Sequence, residues 1–136
     1  MKLITMAWSF LIWAGILFAS VSVEASETML VEKKVFEMDT FQTFGGKTIK
    51  QVKLGWESYG ELNADKSNVI LVTHYFTGNS HAAGKYNEND EKAGYWDVLI
   101  GPGKAIDTNR FFVVSMDTFA NVGVNDPNVV TTGPAS

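Results

Sequence analysis

The chain has 136 residues, no cysteine and a formal net charge of -4. That length holds one domain at most, and the lack of cysteine removes disulfides, thiol nucleophiles and thiolate metal sites. With 46% hydrophobic and 19% charged residues the composition is globular, and a single arginine, Arg110, among acids that outnumber bases leaves no basic footprint for nucleic acid.

In chain order the first element is a leader. Lys2 precedes an uncharged run from Leu3 to Phe18, small residues follow, and Glu24 is the next charge. A basic start, an apolar stretch and the small-x-small triplet Val23-Glu24-Ala25 predict a secretory signal peptide over residues 1–25, cleaved before Ser26. The alternative is an uncleaved membrane anchor, because Leu3–Val23 is about long enough to span a bilayer. Export places residues 26–136 outside the cytosol, away from ATP and acyl-coenzyme A.

Residues 31–59 predict an antiparallel hairpin that turns at Phe44-Gly45-Gly46-Lys47. Its second strand alternates, with Val52, Leu54, Trp56 and Ser58 on one side and Lys53, Gly55 and Glu57 on the other. A polar loop, 60–68, leads to Val69-Ile70-Leu71-Val72-Thr73, an unbroken aliphatic run that suits a strand covered on both faces. Phe111-Phe112-Val113-Val114-Ser115 is a second such run. The segment between them is long enough for a crossover, with a short helix expected around Tyr95 to Ile100, stopped by Gly101-Pro102-Gly103. Asp117 to Ser136 carries no regular pattern and reads as a structureless tail. The fold class is therefore α/β: a hairpin leading into a mostly parallel sheet.

Chemistry concentrates after the first buried strand, where open α/β sheets bind ligands. The loop from His74 to Gly84 holds both histidines and three hydroxyl residues. Gly78-Asn79-Ser80-His81-Ala82 imitates the nucleophile elbow Gly-x-Ser-x-Gly, but poorly, because six residues separate Ser80 from the strand and no helix pattern follows. His74 and His81 with Asp90 or Asp97 match no metal-ligand spacing. Gly101-Pro102-Gly103-Lys104 lacks phosphate-loop spacing, and Asp97 and Asp107 read as caps or turn formers. No acid–base–nucleophile set assembles from these residues alone.

Five strings in order carry a resemblance: His74-Tyr75-Phe76-Thr77-Gly78; His81-Ala82-Ala83-Gly84; Gly94-Tyr95-Trp96-Asp97; Ile100 to Thr108; and Thr132-Gly133-Pro134-Ala135-Ser136. With Tyr59-Gly60-Glu61-Leu62-Asn63 upstream, the chain from about Gly45 to Ser136 resembles the N-terminal part of the homoserine O-acetyltransferases and their exported esterase-like relatives. The resemblance implies an incomplete α/β-hydrolase domain over 26–136. It also implies acyl transfer through a Ser-Asp-His triad whose members all lie beyond Ser136, so that the chain alone is inactive. It places one oxyanion-hole donor at the backbone N–H of Phe76, where the acetyltransferases usually carry leucine, with Thr77 and Gly78 turning the chain and standing near the substrate. It implies no cofactor and no metal. The partner is a small-molecule acyl ester, a homodimer is compatible, and contact with a membrane comes only through an uncleaved leader. Tyr95 and the stretch 117–127 depart from the acetyltransferase pattern. Together with export, these departures favour an esterase or other acyl hydrolase over homoserine acetylation. A non-catalytic secreted module is the reading from a different class.

Overall fold

The computed structural model describes residues 28–133; the predicted signal segment 1–25 and residues 134–136 of the last motif lie outside them. Strands β1 (Lys34–Gln42) and β2 (Thr48–Tyr59) form the expected antiparallel hairpin, in register from Lys34↔Trp56 to Gln42↔Thr48. Gly46, at φ +79°, closes the turn and donates its N–H to the Thr43 carbonyl at 3.0 Å. Glycine takes that left-handed conformation without the steric cost other residues carry. β3 (Val69–Val72) and β6 (Phe112–Met116) pair in parallel, and β6 also pairs antiparallel with the end of β2, giving the order β1-β2-β6-β3. The crossover 73–111 contains a two-residue parallel ladder, β4 (Ile100–Gly101) with β5 (Ile106–Asp107).

Two expectations are corrected. Among the described residues the crossover has no helix: Tyr95 to Leu99 form consecutive turns. The Tyr95 and Trp96 N–H groups donate back to the His81 and Ala82 carbonyls at 3.3 and 2.7 Å. The Ile100 N–H reaches Trp96 O at 3.0 Å just where the chain enters β4, so a single turn forms and no helix propagates. Nor is the tail structureless as far as Gly133. Val130 accepts the Gly55 N–H at 2.8 Å, and the Thr132 hydroxyl exchanges hydrogen bonds with both backbone groups of Lys53, so the segment continues the edge of β2 where β6 leaves off.

Within the described residues β3 is covered on one face. Ile70 and Val72 pack inward, whereas Val69 and Leu71 stay 48% and 60% exposed. Cross-strand partners share a face, so the register puts Leu71, Met116, Trp56 and Phe36 on the same open side. The crossover lies against the other side and builds the core from Tyr59, Val72, Ala82, Ala83, Ile100 and Val113. Each fully buried aliphatic side chain there contributes about 1.5–3 kcal/mol. Glu57, opposite Leu54 and Trp56 as the alternation expects, faces the crossover and is wholly buried.

A strap before β1 completes the closed side. Val31 donates its N–H to Lys85 O, and Lys85 donates its own to Met29 O, both at 2.9 Å. This delivers the Lys33 side chain beneath the crossover.

Candidate active site

The loop that leaves β3 rises to an exposed apex. Tyr75 to Gly78 form a β-turn, with the Gly78 N–H donating to the Tyr75 carbonyl at 2.8 Å. Phe76 and Thr77 are the central residues; Phe76 is 83% exposed, and its N–H has no backbone partner among the described residues. The descending arm is clamped at three points by buried side chains from other segments. Asn121 donates its amide to Gly78 O at 2.9 Å, and Asp117 accepts the Ser80 N–H at 2.7 Å. The Tyr59 hydroxyl accepts the N–H groups of both Ala82 and Ala83 at 3.0 Å. Having used both lone pairs there, that hydroxyl donates its proton to Glu57 Oε2 at 2.8 Å, so every hydrogen-bonding capacity it has is taken.

Glu57 is the hub below the loop. Oε2 also meets His81 Nδ1 at 3.1 Å; Oε1 accepts from the Tyr86 hydroxyl at 2.7 Å and pairs with Lys33 Nζ at 3.0 Å. Lys33 in turn hydrogen-bonds the Ser80 hydroxyl and lies 3.8 Å from Asp117 Oδ2. Asp117 joins four segments: besides Ser80 and Lys33, it accepts the Val130 N–H and donates its own N–H to Gly55 O. Buried charges survive only when paired in this way, and removing one partner typically costs about 3–5 kcal/mol.

Burial by itself raises the Glu57 pKa, but the hydrogen bonds from His81 and Tyr86, the Lys33 charge and the Tyr59 hydroxyl together outweigh it. The carboxyl is held below its usual 4.5. Burial, and then the neighbouring Glu57, push both Tyr59 and Tyr86 upward, so neither ionises near neutrality. A carboxylate with a depressed pKa stabilises the fold fully above its unfolded value, and that contribution disappears as pH falls through the folded one. We therefore expect the melting temperature to drop below pH 4.5, and more steeply in the native sequence than in Glu57→Gln. Parallel melts between pH 7 and 3 check this, and equal slopes would refute it.

An open pocket of about 540 Å³ lies at the carboxyl ends of β3 and β6, beside the apex. Leu54, Leu71, Met116 and Phe119 give it an apolar floor, and His74 and Phe76 form its rim. His74 Nδ1 lies 2.7 Å from the Tyr75 carbonyl, so Nδ1 carries the ring proton.

The structure separates the other sequence candidates. Ser80 is fully buried, with its hydroxyl engaged by Lys33, so it is an anchor of the loop and offers no exposed nucleophile. His81 stacks on Tyr86 and pairs with Glu57, away from His74. Asp97 accepts the Gly84 N–H and pairs with Lys104, Asp90 accepts two N–H groups of its own turn, and Asp107 accepts those of Gly103 and Asn109. No three acidic or histidine side chains converge as metal ligands among the described residues. Both backbone groups of Gly78 are used internally, so its part is to shape the turn, while Thr77 stands free at the apex. Sequence reasoning passed over Lys33, Glu57, Tyr59, Asp117 and Asn121 as site residues. One signal was available: Asp117 directly follows the carboxyl end of a buried strand.

No family model matches the chain. The homoserine O-acetyltransferase of Methanococcoides burtonii is 49% identical over 96 residues, which make up 71% of this chain and 18% of that protein. The crystal structure of esterase E22 is similar with a TM-score of 0.77 at 69% identity, and that of homoserine O-acetyltransferase from Bacillus anthracis with 0.76 at 53%. Each of these two structures covers 79% of this chain and is covered over 29% of its own length. The chain thus spans between 18% and 29% of the length of these three proteins.

Proposed function

The chain belongs to the homoserine O-acetyltransferase-like family of the α/β-hydrolase fold, and from that premise we propose that it supplies the oxyanion loop of an exported, serine-dependent acyl hydrolase. One observation carries the proposal. The backbone N–H of Phe76, without a partner among the described residues, stands on a clamped turn after β3, beside an open apolar pocket. When a serine attacks an ester carbonyl, charge develops on the carbonyl oxygen. A fixed donor aimed at that oxygen costs no reorganisation, and one such donor is worth about 3 kcal/mol. Because the donor is main-chain, the side chain at position 76 is free to vary, and phenylalanine serves.

The nucleophile, acid and base come from sequence outside these 136 residues, and the chain alone is inactive. Hydrolysis is favoured over homoserine acetylation by the 69% identity to an esterase against 53% to an acetyltransferase. The leader, residues 1–25, supports export, which separates the site from acyl-coenzyme A; N-terminal sequencing of the exported form, expected to start at Ser26, checks this. The substrate is a small acyl ester.

Esterase E22 provides a host for the test, because a chimera can carry residues 28–133 in place of its matched segment. The chimera is expected to hydrolyse p-nitrophenyl acetate at a rate near that of its parent, while the 136-residue chain alone stays at background. An inactive but folded chimera, or transfer from acetyl-coenzyme A to homoserine outpacing hydrolysis, would overturn the reading.

A further inference from the structure

A fully buried carboxylate that touches neither pocket nor apex has no evident place in acyl transfer. Yet Glu57 connects to two of the three clamps that hold the loop, Tyr59 directly and Asp117 through Lys33, the third being Asn121. Its Oε2 fixes the Tyr59 hydroxyl, which grips Ala82 and Ala83; it meets the ring of His81 next to them; and it shares Lys33 with Ser80 and Asp117. These contacts all fall on the descending arm, between Ser80 and Ala83. Among the described residues Phe76 and Thr77 themselves are held by the turn that precedes that arm, whose last residue, Gly78, is also tied by Asn121. The direction of the Phe76 N–H is therefore set from below.

We propose that Glu57 is a positioning residue for the Phe76 donor, acting through Tyr59 and His81 on the arm that carries the turn. This rests on the oxyanion-loop reading above. An oxyanion donor works only if it is already placed when the charge develops. A displacement of about an ångström in a catalytic group costs on the order of a hundredfold in rate without weakening substrate binding to match. Glutamine at position 57 keeps the shape but not the charge. It also presents an N–H₂ group to partners that need an acceptor, so the hydroxyls of Tyr59 and Tyr86 and the Lys33 ammonium can no longer all be satisfied.

The test is a double-mutant cycle in the esterase E22 chimera, with p-nitrophenyl acetate as substrate and folding checked by circular dichroism at the assay temperature. Glu57→Gln is expected to lower kcat by about 10- to 100-fold while KM moves less than about threefold. In a Phe76→Pro background, where the donor is already gone, the same substitution should cost less than about threefold more. Tyr59→Phe retains every charge and breaks the same path, so it serves as the second variant and should show the same loss of additivity. Losses that multiply in the double variant, a change confined to KM, or an unaltered kcat in Glu57→Gln would each overturn the inference. An inactive unsubstituted chimera would instead sink the oxyanion-loop reading, so the two failures are distinguishable.

Discussion

Phe76→Pro lowers kcat of the active chimera by about 10²- to 10³-fold while leaving its fold intact. Proline removes the N–H and the ring at the pocket rim, and Phe76→Leu separates the two losses. Phe76 is the first central residue of the Tyr75–Gly78 turn, where the fixed φ of proline is favoured, and it does not lie among the residues with positive φ. Its N–H has no backbone partner within the described residues, so no structural hydrogen bond is lost. The residue before proline prefers extended conformations, which suits Tyr75 as it leaves the strand. Phe76→Leu, which keeps the donor, should lose less than about tenfold. The measurement is kcat for both variants beside their thermal melts. A proline variant as active as the leucine variant would show that this N–H is not the donor.

Gly94→Ala has the largest expected effect on stability. A Cβ at position 94 would overlap the backbone of Ala82 and Ala83, with Ala83 Cα only 2.6 Å away. The Gly94 N–H also donates to Gly84 O at 2.9 Å, so the two segments cannot separate without breaking that bond. Overpacking against a side chain costs about 1–3 kcal/mol. Backbone has no rotamer to change, so the loss here should exceed about 3 kcal/mol, or more than roughly 10 °C in melting temperature for a domain of this size. The overlap falls on the same alanine pair that Tyr59 grips, so activity should fall with stability. Gly45→Ala is the control, because nothing lies within 4 Å of a Cβ there. Equal melts for the two alanine variants would contradict the close approach.

Local patterning made the hairpin and both buried strands legible, because alternation and aliphatic runs report burial directly. The position of the site loop followed from the end of β3. The resemblance singled out Phe76, which no pattern of residue types could do, since a main-chain donor leaves no signature in its side chain. Glu57 illustrates the opposite failure. Alternation placed it opposite Leu54 and Trp56, where the structure has it, but did not show which face the crossover would cover. Both faces of β2 are buried towards its end, and the charge is met by Lys33 and His81, each 24 residues away in sequence. Such pairings exist only once the chain is folded. The helix expected over 95–100 failed for a related reason: Ile100 and Gly101 pair with Ile106 and Asp107, which ends the turns after one round.

The Lys33 ammonium lies under the loop beside Glu57, Ser80 and Asp117. Synthesis delivers these groups in the order 33, 57, 80, 117, so the first to emerge waits for the last. Until Ser80, the strap partner Lys85 and Asp117 have been made, the lysine has only Glu57 to pair with, and the early hairpin remains a provisional structure. Contacts of such sequence separation slow folding, because the closure entropy must be met before they form. A chain stalled anywhere between residues 57 and 117 therefore holds part of the cluster, Lys33 and Glu57 included, without the Asp117 that completes it. Pausing in that interval prolongs an open state, and the loop that presents Phe76 is among the last parts to set.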